Sequence, residues 1–110
     1  MDFSKKPMVE IIYRQSRIAK ALGQPAKYSI IDFLLNSGPT SLDRLSKAIH
    51  RSKTTTCYHL SKLKSLELVR YETKTSGVIY WIKYEPELRG IIQALESYIK
   101  RAMKNIGSET

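Results

Sequence analysis

Apolar residues recur along this chain with a helical period up to about position 66. Between positions 68 and 83 they recur with a period of two, and then the helical period returns. Pro7 suits a first helical turn. Met8, Ile11, Ile12, Gln15, Ile18, Ala19 and Leu22 then form one stripe, which Gly23 ends. Pro25 opens a second helix, with Tyr28, Ile31, Leu34 and Leu35 expected inward and Ile30 and Phe33 on its flank. Asn36-Ser37-Gly38-Pro39 stops it. A short third helix is expected with Asp43 as N-cap, Leu42 packing back as a staple, and Leu45, Ala48 and Ile49 as its apolar side. His50-Arg51 breaks it. Ser52 then caps a fourth helix running to about Leu66. Leu68 to Thr73 and Val78 to Lys83 read as two strands, joined by a turn through Lys74-Thr75-Ser76-Gly77.

Glu85-Pro86-Glu87 places proline and two acids at the positive end of a last helix. Its stripe is Leu88, Ile91, Ile92, Leu95, Ile99, Met103 and Ile106, about five turns long. The order is helix, helix, helix-turn-helix at about 43–66, hairpin at about 68–83, helix. This predicts a mainly α fold with a two-stranded β-wing, a winged helix-turn-helix, as a single domain over residues 1–110.

Charge localises the chemistry. The net charge is +9. Residues 50–84 hold seven Lys/Arg against two Asp/Glu, whereas residues 85–110 hold four of each. A basic excess centred on a helix-turn-helix is the footprint of a polyanion binder. Apolar runs are too short to span a bilayer, no apolar signal core follows the N-terminus, and the expected location is the cytoplasm. A lone cysteine, Cys57, excludes an internal disulfide and a CxxC zinc site.

At about 100° per residue, Thr56, Leu60 and Leu63 share the inward face of the fourth helix, with His59 at its edge. Thr54, Tyr58, Ser61 and Ser65 point the opposite way, with Thr55 and Lys62 on one flank and Cys57 on the other. Hydroxyls, an amphipathic tyrosine and lysines suit a major groove. Lys53 stands at a helix start able to receive a phosphate, and Lys74 sits at the hairpin tip. Lys53, Thr54, Thr55, Cys57, Tyr58, Ser61, Lys62 and Lys74 are therefore the candidate DNA-binding residues. Arg70 and Lys83 flank the hairpin, and Lys83 is expected simply to face solvent. Trp81 fits either the underside of the wing or another subunit.

Catalytic readings find no support. No Ser/His/Asp ordering, phosphate-cradling glycine loop or carboxylate pair stands in a pocket context, so no catalytic residue is assigned. Cys57, His50 and His59 are the only soft ligands, too few for a zinc site without carboxylates. Neither a metal nor a cofactor is expected.

Residues 18–84 resemble the ArsR/SmtB family of winged-helix repressors. The resemblance rests on Ala21-Leu22-Gly23-Gln24-Pro25 leading into the second helix. It rests also on Leu45, Ala48, Ile49, His59, Leu60, Leu63 and Leu68-Val69 through the helix-turn-helix, and on Tyr80-Trp81-Ile82 in the wing. It implies a DNA-binding transcriptional repressor. His50 replaces the family's turn glycine and Glu67 the glycine after the recognition helix, so local turn geometry is expected to differ. Arg51 stands at an apolar position and Cys57 at a serine. Metal-sensing members of the family use cysteines or histidines in stretches matching Ser41–Ala48 and Glu87–Lys104. Neither stretch holds one here, so the resemblance does not extend to metal sensing.

The long last stripe exceeds what one small domain can cover. A homodimer on the first and last helices is expected, through Met8, Ile12, Ala19, Leu95, Ile99 and Met103. Two-fold symmetry would set two recognition helices about 34 Å apart on double-stranded DNA. Two other readings compete: a winged helix that docks protein, and a redox- or ligand-responsive sensor using Cys57.

Overall fold

The computed structural model describes the backbone of residues 7–109 and the side chains of residues 9–104. Its elements are α1 (Pro7–Leu22), α2 (Pro25–Ser37), β1 (Thr40–Ser41), α3 (Leu42–Ala48), α4 (Lys53–Ser65), β2 (Val69–Lys74), β3 (Gly77–Ile82) and α5 (Glu85–Glu109). The fold is a winged helix-turn-helix: mainly helical, with one small antiparallel sheet in the order β1-β3-β2.

The hairpin pairs Val69 with Ile82 through Lys74 with Gly77, around a turn at Thr75-Ser76. Gly77 adopts φ 126°, a conformation open to glycine. The strand β1 was not expected. It pairs Thr40 with Tyr80 and Ser41 with Ile79, tying the start of the helix-turn-helix to the wing. Two residues hold no period that a pattern can register. Thr40 is buried, and its hydroxyl donates to the Gly38 carbonyl at 2.7 Å.

The core gathers Ile30, Ile31, Leu45, Leu60, Leu63 and Val69. Ile30 is fully buried rather than flanking. The reason is position: α2 packs against α1, α3, α4, α5 and β3, so it needs an apolar arc wider than one stripe. Phe33 stays half-buried, with the Arg44 guanidinium 5.5 Å from its ring centre. Thr56 sits in the core because its hydroxyl donates to the Ser52 carbonyl at 2.8 Å.

Two caps set the helix-turn-helix. The N-cap of α3 is Ser41, not Asp43: its hydroxyl accepts from the Arg44 amide at 3.1 Å. Leu42 is therefore the first helical residue rather than a staple before the cap. Asp43 lies in the first turn, where it pairs with Lys47 at 3.3 Å and Lys53 at 3.1 Å. Ser52 caps α4, accepting from the Thr55 amide at 3.1 Å.

His50 and Glu67 both adopt left-handed backbone, φ 57° and 63°. The turn geometry expected to change without glycine is thus retained by other residues. After α3, the Arg51 amide reaches back to the Ser46 carbonyl at 3.0 Å. After α4, the Leu68 amide reaches the Leu63 carbonyl at 3.0 Å. Both are six-to-one helix-ending bonds that use carbonyls left over at the helix end. Glu67 is further held by an ion pair with Lys83. The Lys83 side chain is only 17% exposed, so it is a structural clamp between the end of α4 and the wing, not a solvated lysine. The pair favours both charged forms, lowering the Glu67 pKa and raising that of Lys83.

The last helix has 25 residues, about 37 Å at 1.5 Å per residue. Leu88 and Ile92 are buried against the domain, and Arg89 donates to the Leu35 carbonyl at 2.7 Å. Beyond them the helix projects. The radius of gyration is 16.5 Å, against about 13 Å for a compact domain of this length.

Candidate nucleic-acid interface

Packing divides α4 into two faces. Thr56, His59, Leu60 and Leu63 are buried. Lys53, Thr54, Thr55, Cys57, Tyr58, Ser61 and Lys62 are all exposed. The structure brings these seven onto one continuous surface, and Lys74 stands exposed at the tip of the wing, paired with Gly77. No acid lies on α4.

The candidate residues differ in their local ties. Lys53 is held by Asp43, whose carboxyl is kept below its usual pKa chiefly by the hydrogen bonds from Lys53 and then Lys47. An incoming phosphate there competes with a carboxylate already present. The Thr55 hydroxyl accepts from Ser52 at 3.1 Å, which ties it to the helix cap. Tyr58 is 58% exposed, with the ammonium groups of Lys62 and Lys27 at 5.4 and 5.9 Å from its ring centre. Cation–π contacts of this length favour the ring's position between the two ammonium groups without burying it.

One side of α4 meets the wing. Cys57, Leu60, Ser61 and Lys64 line a groove of about 280 Å³ with Tyr71, Val78 and Tyr80. The Lys64 ammonium lies 4.4 Å from the Tyr71 ring centre. Burial, and then the neighbouring Cys57, raise the Tyr80 pKa. Trp81 is half-buried.

On the other side lies a larger cleft of about 530 Å³ between α1, the start of α2 and α4. Tyr58 and Lys62 form one wall, and Arg17, Lys20 and Lys27 bring three more cations. These three were not singled out from the sequence. The signal was present in the spacing: Tyr13, Arg17 and Lys20 fall on the face of α1 opposite its apolar stripe. The spacing alone does not tell that this face of α1 lies beside α4, which only tertiary packing decides.

His59 is buried, and its Nδ1 has no hydrogen-bond partner among the described residues. Burial first, then Lys27 and Arg51, hold its pKa below the usual value. The imidazole is therefore a neutral packing residue. Among the described residues no group of three or more His, Cys, Asp or Glu could hold a metal ion. No helix among them is long and apolar enough to cross a membrane.

The apolar surface lies away from α4. Ile12, Ala19, Leu95, Ile99 and Met103 are all exposed, while the Met8 side chain lies outside the described residues. Ala19 and Leu95 line one apolar groove of about 380 Å³ with Ile18, Leu22 and Ile91.

No family model matches the sequence, and no curated protein does. Solved structures do share the fold. The homodimeric winged helix-turn-helix DNA-binding domain Mb0332 of Mycobacterium bovis, a possible ArsR-family transcriptional regulator, aligns with a TM-score of 0.73 and 23% identity, over 84% of this chain and 86% of that one. Reduced HlyU of Vibrio cholerae aligns with a TM-score of 0.73 and 22% identity, over 84% of this chain and 96% of the other. NolR of Sinorhizobium fredii aligns with a TM-score of 0.75 and 20% identity, over 84% and 91%. At such identities the likeness is one of fold.

Proposed function

We propose that the protein is a homodimeric, sequence-specific binder of double-stranded DNA, a transcriptional repressor of the ArsR/SmtB type without metal-sensing ligands. The observation that supports this best is the uncovered face of α4. It is hydroxyl-rich, cationic and free of acids, with a wing standing beside it. An α-helix of this kind fits a major groove. Thr54, Tyr58 and Ser61 reach base edges there, and Lys53, Lys62 and Lys74 neutralise phosphates. The similar Mycobacterium domain is itself a homodimeric DNA-binding domain, which agrees with the reading.

The same reading assigns the exposed apolar residues of α1 and α5 to a two-fold interface, with residues 1–110 acting as one domain per protomer. Two recognition helices then meet successive major grooves of a palindromic site. Occupancy of that site blocks other proteins, which is sufficient for repression. Nothing in this role is catalytic, and it places the protein in the compartment that holds the DNA, the cytoplasm.

A mobility-shift titration with the DNA upstream of the protein's own gene tests the proposal. Binding should weaken steeply with salt, because each neutralised phosphate releases a counterion. A protein-docking winged helix would bind the upstream DNA no more tightly than a random duplex of equal length at physiological salt, and that result would overturn the reading.

A further inference from the structure

The recognition helix has two flanks, and they are built differently. On the flank of Cys57, Ser61 and Lys64 stands the wing. On the flank of Tyr58 and Lys62 opens the cleft lined by Arg17, Lys20 and Lys27. A major groove is likewise bordered on two sides, by its two sugar-phosphate strands, about 12 Å apart. A helix seated in that groove brings the wing to one strand and the cleft to the other.

One of the cleft's cations is placed against local stability, whereas Lys20 and Lys62 sit in the last turns of their helices, where the dipole favours a cation. Lys27 lies in the first turn of α2, whose first turn holds no acid, so its charge faces the positive end of the helix dipole. Among the described residues, none of Arg17, Lys20, Lys27 and Lys62 is ion-paired with a carboxylate, whereas Lys53, Lys83 and Arg89 are. Their field also reaches inward, since Lys27 helps to hold His59 neutral. Cations converging on one cleft without counter-charges repel one another until an anion enters.

We infer that the cleft between α1, α2 and α4 binds the phosphodiester backbone of the DNA strand bordering the recognition helix on the side away from the wing, with Arg17, Lys20 and Lys27 as the phosphate ligands. This rests on the DNA reading above and enlarges its footprint from the helix-turn-helix to α1. It also gives α1 two partners. One face is apolar, and the opposite face, with Arg17 and Lys20, meets phosphate.

The test is the salt dependence of the full chain binding a labelled, mixed-sequence duplex, read by fluorescence anisotropy. Non-specific binding suffices, because phosphate contacts are independent of sequence. Each lost contact flattens the slope of log association constant against log salt by about 0.9. Arg17→Gln/Lys20→Gln/Lys27→Gln should therefore be shallower than wild type by about 2 to 3, and Lys20→Gln alone by about 1. Circular dichroism confirms folding; if the triple variant unfolds, the single substitution at exposed Lys20 decides. A folded variant whose slope matches wild type overturns the inference and leaves the DNA reading intact. A wild-type protein that does not bind the duplex overturns both.

Discussion

Two helices in this molecule each bury one face and leave another bare, and the bare faces are chemically opposite. The uncovered residues of α4 include Thr54, Tyr58, Ser61 and Lys62; those of α5 include an apolar stripe through Ile91, Leu95, Ile99 and Met103. The buried halves do the same work in both, Leu60 and Leu63 in one, Leu88 and Ile92 in the other. Partial burial by itself therefore says nothing about a partner. The chemistry of the remainder does: a polar, cationic face loses little by standing in water and gains when it meets a polyanion. An apolar face 43–65% exposed, at Leu95, Ile99 and Met103, is unfavourable until something covers it. The neutral charge of residues 85–110 fits a surface that meets a copy of itself.

The largest effect should come from breaking the apolar side of this contrast. Replacing Ile99 and Met103 together with glutamate would place unpaired carboxylates in the proposed interface. Each uncompensated buried charge costs on the order of 3–5 kcal/mol. Light scattering should show a folded monomer or an unfolded chain, and DNA binding should collapse. A wild-type protein that is already monomeric at micromolar concentration would contradict the dimer.

Truncating the buried halves comes next. Leu60→Ala and Ile92→Ala should each cost about 2–5 kcal/mol in urea unfolding, the range for core leucine and isoleucine. A loss well under 1 kcal/mol at Ile92 would mean that even the near half of α5 is loosely docked.

On the polar side, Thr54→Ala or Tyr58→Ala should leave folding unchanged and cost about 1–3 kcal/mol on the cognate site. Random DNA should bind nearly as before. Equal losses on both would reduce these residues to positioning contacts.

The smallest effect is one of pH. The unfolded chain protonates His59 near the ordinary value of 6.5, while burial, Lys27 and Arg51 make the folded protein resist that proton. The stability conferred is complete above that value and is lost as pH falls through 6.5 toward the lowered folded value. Between about pH 7.5 and 5.5, wild-type Tm should fall more than that of His59→Gln, measured by thermal denaturation. Parallel curves would show that His59 is not the titrating group.

The long periodic elements were legible in the sequence because burial imposes its period on them. The inward face of α4 follows from spacing alone, as does the wing. What escaped was set by tertiary context. Ile30 is enclosed because α2 lies at the centre of the packing, which a single-helix stripe cannot express. Asp43 has the right chemistry for a cap, but Ser41 stands at the residue where the chain enters the helix. His50 and Glu67 take left-handed backbone without glycine, since the helix-ending bonds around them outweigh the local preference. Lys83 found a partner 16 residues away, and the cations of α1 and α2 gain meaning only when folding brings them beside Tyr58.

Selection of bound sequences from a random duplex pool tests the central claim most directly. A two-fold dimer reading bases through α4 predicts an enriched palindrome whose half-sites lie about one helical turn, 10 to 10.5 base pairs, apart. Tyr58→Ala should relax the preference at a symmetric pair of positions. A pool that stays random, or that converges on a single half-site without its symmetric mate, would contradict the account.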